Sequence, residues 1–156
     1  MTLQSVLMRV LPLPRPGRCF ADGEWRTLAR AAEVMLPTAR EVPPEDVADN
    51  VERFLVRGRS RRAWRVRVLM HLVEFLPVTE YGKPFSRMTL AERRQLVETR
   101  YVDGRGLWAL CAKIRFLVLL GAYGDARMNT STGFVPVSTR RRLARAAHNG
   151  TAAAAP

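Results

Sequence analysis

The chain has 156 residues, 47% of them hydrophobic and 26% charged. That length suits one domain able to withdraw roughly 68–70% of its unfolded surface from water, so neither metal nor disulfide is needed for a core, and the apolar content excludes wholesale disorder. The formal charge is +12, yet Lys83 and Lys113 are the only lysines among 26 basic residues. An arginine excess beside abundant Ala and Val fits a GC-rich coding bias, so charge alone assigns no nucleic-acid partner.

Residues Met1–Ala21 contain Pro12, Pro14 and Pro16 and read as an extended arm. Met1–Leu13 is interrupted by Arg9 and Pro12 and lacks a charged start, a sustained apolar run and a small-residue cleavage site. No export leader is therefore expected, and the expected location is the cytoplasm. Asp22 is placed to cap a helix over about Glu24–Leu36, with Trp25, Leu28, Ala29, Ala32 and Met35 or Leu36 facing inward and Pro37 ending it. Beyond Pro43 and Pro44, Val47, Val51, Phe54 and Leu55 keep helical spacing over about Glu45–Val56, and Glu45 and Asp46 suit the helix start.

Ser60 is a plausible cap for a third helix in which Trp64, Val68, Leu72, Phe75 and Leu76 form the core face, widened by Val66, Leu69, Met70 and Val73. Pro77 and Tyr81–Ser86 form a loop, with Tyr81 and Phe85 flanking Gly82, Lys83 and Pro84 as rings that pack on a neighbour. Thr89 and Glu92 match a capping box for a fourth helix reaching about Tyr101. Asp103-Gly104 separates it from the fifth, and a short sixth is expected near Thr139–Ala147. The expected fold is an all-α orthogonal bundle of about five to six helices. Its divisions are an extended arm over 1–21, a helical domain over 22–136 and a basic, partly disordered, flexible tail over 137–156.

The segment Leu107–Phe134 carries the most information. Leu107, Leu110, Cys111, Ile114, Leu117, Val118 and Gly121 follow a core-facing stripe, while Trp108, Phe116, Leu119 and Leu120 lie off it and also want burial. The helix is expected to break at Gly121-Ala122-Tyr123-Gly124-Asp125. A domain this small has few elements to cover both faces, so a second protein is the expected cover. The longest uncharged apolar stretch, Phe116–Tyr123, falls far short of the about 20 residues that span a bilayer.

Catalytic material is thin. His71 sits in the third helix with only Glu74 as an acidic neighbour, and reads as a packed or partly exposed helix residue rather than a general base; His148 lies in the tail. No phosphate-cradling glycine loop occurs, and Glu33, Glu52, Glu74, Glu92 and Glu98 do not form the pairs of a di-iron bundle. Cys19 and Cys111 read as free thiols, and no metal site is expected. Asp125, just past a hydrophobic helix, is suited to accept backbone N–H bonds in a turn.

Two arginine clusters remain: Arg57, Arg59, Arg61, Arg62, Arg65 and Arg67, and Arg140, Arg141, Arg142 and Arg145. They suit solvated faces with snorkelling stems, an acidic protein surface, or phosphates. A small basic helical nucleic-acid-binding protein is therefore the alternative function. It is the weaker fit because base-stacking aromatics are not interleaved with the arginines and no polar recognition helix is evident.

Three stretches together resemble a known family. They are Ala32-Glu33-Val34-Met35-Leu36-Pro37 followed by the Val47–Leu55 helix; Gly82-Lys83-Pro84-Phe85-Ser86-Arg87-Met88 followed by Glu92-Arg93; and Arg115-Phe116-Leu117-Val118-Leu119-Leu120-Gly121-Ala122-Tyr123-Gly124-Asp125 followed by Gly133-Phe134. In order and separation they resemble the small helical subunits that accompany flavin-dependent glucose-methanol-choline (GMC) oxidoreductases, the gluconate 2-dehydrogenase subunit 3-like group. The resemblance covers about Trp25–Phe134. Departures are Arg115 where lysine is frequent, Ala122 for one of a pair of aromatics, Ala126 for a proline and Phe134 for a tyrosine. Exported members carry a twin-arginine leader, which is not seen here.

The resemblance implies a non-catalytic accessory subunit with no flavin of its own, paired with a larger FAD-containing subunit that oxidises an alcohol, sugar or sterol-like hydroxyl. Trp108, Arg115, Phe116, Leu119, Leu120, Tyr123, Asp125, Phe134, Tyr81 and Phe85 are the expected interface residues. No catalytic, cofactor-binding or metal-binding residue is assigned to this chain.

Overall fold

The computed structural model describes residues 12–14, 16–36, 42–58, 63–102 and 104–131, with side chains to Met128. Among them every regular element is helical. The expected helix over Thr139–Ala147, the Ser60 cap, Pro37, Phe134 and most of the arm lie outside these residues.

Helix α1 spans Asp22–Met35. Its cap is Ala21 rather than Asp22, because Glu24 reaches back to accept the Ala21 N–H at 2.8 Å and supplies the capping bond from within the first turn. Helix α2, Pro44–Arg57, starts with proline at the position whose missing N–H costs nothing, followed by Glu45 and Asp46 at the positive end of the helix dipole.

Helix α3, Ala63–Phe75, is rotated from the face that apolar spacing selects. Arg67, Met70 and Val73 are buried, whereas Trp64 is half-buried and Phe75 is 57% exposed. The reason is that Arg67 occupies the centre of the inward face, paired with Glu24, and no count of apolar residues registers a buried arginine. After Pro77 comes the short α4, Val78–Tyr81, closed by Gly82 at φ 69°, a left-handed conformation that glycine adopts without strain. A 3-10 turn over Phe85–Arg87 then drives the Phe85 ring wholly into the core.

Helix α5, Leu90–Leu96, has the expected capping box: the Thr89 N–H donates to Glu92 at 2.7 Å and the Glu92 N–H to Thr89 Oγ1 at 3.3 Å. It continues as one π-helical turn, Val97–Tyr101. The fifth expected helix is two: α6, Leu107–Cys111, and α7, Ile114–Tyr123. Helix α8, Ala126–Ser131, follows at once and has no counterpart in the sequence-based reading.

The core gathers Phe20, Leu28, Val47, Val51, Met70, Val73, Phe85, Leu96, Ile114 and Val118, so α1, α2, α3 and α7 share one apolar centre. Gly121 does not break α7. It lies where α7 crosses α2, and a Cβ there would overlap the Val47 carbonyl oxygen and meet Val47 Cγ1 at 2.8 Å and Val51 Cγ2 at 2.9 Å. Asn50 Nδ2 donates to the Gly121 carbonyl at 3.0 Å at the same crossing. The helix stops at Tyr123, with Gly124 as its C-cap. Gly121→Ala should therefore destabilise the fold by about 1–3 kcal/mol despite alanine's better helix propensity, because the obstruction is backbone and cannot swing aside. A lower urea midpoint at unchanged slope would register it.

Candidate functional site

Helix α7 has a buried face and an exposed apolar one. Ile114, Val118, Gly121 and Ala122 face the core, and Leu117 packs partly against it. On the outer side Phe116 is 73% exposed, Tyr123 is 55% exposed, and Leu120 is exposed between them. Positions 116, 120 and 123 repeat by four and three, so the three side chains form one row along the helix. Arg115 is also exposed. The register of α2 against α7 is antiparallel, since Asn50 meets Gly121 and Asp46 meets Arg127. Phe54, one turn along from Asn50 on α2, is also exposed.

The other expected contact residues fall into different environments. Phe85 is a core residue with the Arg93 guanidinium 5.9 Å from its ring centroid, so it presents nothing to a partner; a ring next to Pro84 packs inward because the 3-10 turn directs it there. Trp108 is half-buried, tilted against Tyr101 at a centroid separation of 6.3 Å. Tyr81 and Leu119 are half-buried too. Phe134 lies outside the described residues. Leu107, 52% exposed, and Leu110, also exposed, leave the core stripe that their spacing suggests. An uninterrupted 3.6-residue period does not hold across residues 112–113, where the two helices join through a turn.

Asp125 is an anchor in the turn after α7. It accepts the Arg127 N–H at 3.0 Å and is gripped from the side by the Arg127 guanidinium at 2.9 and 2.8 Å, while Asn50 Nδ2 approaches at 3.3 Å. The guanidinium holds its carboxyl well below the usual range despite some desolvation. Arg127 also pairs with Asp46, which ties the end of α7 and the start of α8 to α2.

A second polar cluster lies between α1 and α3. Glu24, nearly fully buried, accepts from Arg67 Nε at 2.9 and 3.0 Å and from the Ala21 N–H, and its Oε1 lies 3.0 Å from His71 Nε2. The acidic partner of His71 is thus Glu24, across the helix interface, not Glu74. Glu74 instead accepts from Thr27 Oγ1 at 2.8 Å and from the Ser86 hydroxyl and N–H at 2.6 and 3.1 Å. Arg67 also donates to the Pro12 carbonyl and so fastens the arm. Burial pushes the Glu24 pKa up, but the contacts with His71, Arg67 and the Ala21 N–H outweigh it and hold the carboxylate below its ordinary 4.5. His71 and Glu24 border a cleft of about 720 Å³, with Phe75 and Ser86 on its wall.

A similar device holds the last residues before α1. Glu52 Oε1 accepts the N–H groups of Cys19 and Phe20, each at 3.0 Å. Both cysteines are free, and burial raises each thiol to about 11, which suppresses the thiolate. Arg67 is spent inside the protein, and Arg59, Arg61, Arg62 and the 140–145 cluster lie outside the described residues; Arg57 and Arg65 are exposed. Among the described residues no His, Cys, Asp and Glu group could hold a metal ion, and no helix is long and apolar enough to cross a membrane. Compared with known proteins, the chain matches no family model, no curated protein and no solved structure.

Two measurements test the buried cluster. Arg67→Met strands the Glu24 charge in the interior and should cost about 3–5 kcal/mol of unfolding free energy. Because the folded Glu24 pKa is depressed, its contribution is complete above pH 4.5 and is lost as pH falls through the lower folded value. Unfolding free energy measured against pH should decline below that point, and more shallowly in Glu24→Gln.

Proposed function

We propose that this chain is a non-catalytic accessory subunit that binds and stabilises a larger FAD-dependent, GMC-type oxidoreductase acting on an alcohol, sugar or sterol-like hydroxyl. The observation that carries the binding role is the outer row of α7: Phe116, Leu120 and Tyr123 stay in water although the helix they stand on is packed into the core by its other face. Apolar rows of this kind on a small domain mark contact surfaces. The nature of the partner comes from the family resemblance of the three sequence stretches, the third of which contains this row.

On this reading the chemistry stays on the partner, which holds the flavin. The small subunit contributes a preformed convex face, and burial of that face stabilises both chains by mass action. The two polar clusters keep α1, α2, α3 and the arm in fixed relation, so the face is presented on a rigid body. The alternative of nucleic-acid binding loses one of its six central arginines, Arg67, to the interior.

Co-expression with a flavoprotein encoded beside it should yield a yellow, stoichiometric complex. Phe116→Asp and Tyr123→Asp should each weaken capture of the flavoprotein at least tenfold while leaving the thermal midpoint of the isolated chain within a few degrees, since both side chains are more than half solvated. A soluble monomer that ignores the flavoprotein in both forms would refute the reading.

A further inference from the structure

The apolar row on α7 does not end at Phe116. At the junction of α6 and α7 the Lys113 N–H donates to the Leu110 carbonyl and the Phe116 N–H to the Lys113 carbonyl, both at 3.1 Å and both spanning three residues. Ala112 and Lys113 have φ of −57° and −64° with ψ of −23° and −16°, close to 3-10 values. In a 3-10 turn residues three apart eclipse one another, so positions 110, 113 and 116 stand in line. Extending the count through the flanking α-helical turns places 107, 110, 113, 116, 120 and 123 within an arc of about 80° over a length of about 25 Å.

Five of those positions are exposed large side chains, Leu107, Leu110, Phe116, Leu120 and Tyr123. The sixth, at the middle, is Lys113, also exposed. The run 107–123 contains Lys113 and Arg115 and no acidic residue. Both are exposed, and among the described residues neither makes an ion pair. An ammonium set in the centre of an apolar seam loses its water when the seam is covered, and an uncompensated buried charge is costly.

We infer that the surface covering this seam is an apolar groove of the partner subunit carrying an aspartate or glutamate opposite Lys113, and that this pair sets the register of the complex. The inference rests on the accessory-subunit reading and specifies its contact. Charge complementarity is the ground for the carboxylate: the seam carries its cation unpaired, and a partner groove without a counter-charge would bind it at a penalty. The apolar residues supply contact area that tolerates sliding by a turn, whereas the central charge selects one register.

The test uses the complex with the flavoprotein and three variants of the full chain, each checked for an unchanged circular dichroism spectrum. Lys113→Glu should weaken binding about thirtyfold or more, and Lys113→Met at least fivefold, because it leaves the partner's carboxylate unpaired. Lys113→Arg should stay within about threefold of the native chain. A Lys113→Met chain that binds as well as or more tightly than the native one overturns the carboxylate while leaving the accessory-subunit reading intact. A native chain that captures no flavoprotein overturns both.

Discussion

The contact between α2 and α7 at Gly121 decides which side of α7 meets water. Only a residue without a Cβ lets the Val47 carbonyl and the Val47 and Val51 side chains come that close, and the Asn50 amide fixes the approach by bonding the Gly121 carbonyl. Once that line of contact is set, helical geometry leaves Val118 and Ala122 inside and Phe116, Leu120 and Tyr123 outside. The exposed row is therefore a consequence of the close packing at Gly121. A helix as apolar as Ile114–Tyr123 would otherwise have several ways to lie on the bundle, and a side chain at 121 would remove the one that is used.

Four charged side chains, Glu24, Glu52, Arg67 and Arg93, are buried among the described residues. The first three each bond backbone from the arm or its junction with α1. Arg93 donates to the Arg30 carbonyl and pairs with Glu33. Glu24, Glu52 and Arg67 each satisfy several partners at once, the condition under which a buried charge is tolerated, while Arg93 keeps its Nε buried without a partner. The buried charges are two of each sign, so they cancel and leave the net positive charge at the surface unaltered.

Much of the architecture was legible in the sequence, and the exceptions have physical causes. The Thr89–Glu92 capping box, the proline-led start of α2 and the turn role of Asp125 are local effects, decided by side chains within a few residues, and spacing reports them well. Long-range pairing is invisible to spacing: Glu24 takes Arg67 and His71 from a helix about forty residues on, which turns α3 and brings Phe75 outward. Spacing does not decide whether the Phe85 ring packs on this domain or on another chain; the 3-10 turn directs it into the domain's own core. Leu107 and Leu110 left the core because the hydrogen-bond period shortens at 112–113, and a helical count run straight through the junction assigns them to the wrong side. Of the expected interface residues on α7, Arg115, Phe116, Leu120 and Tyr123 are exposed and Leu119 is half-buried; of those that depend on tertiary packing, Trp108 and Tyr81 are half-buried and Phe85 is buried.

The size of the seam bears on what kind of complex it can sustain. Full burial of a large apolar side chain is worth about 1.5–3 kcal/mol, and the five apolar seam residues are already partly covered, so the whole row supplies about 5 kcal/mol. Association costs about 4–15 kcal/mol in lost freedom of motion before any contact is counted. A long-lived subunit pairing therefore needs contacts beyond the row. Phe54 is a further exposed apolar ring, on α2, the helix that packs against α7. A partner surface wide enough to take both helices would add contacts on α2 to the row on α7, and the crossing at Gly121 is what holds the two helices close enough for one surface to reach both.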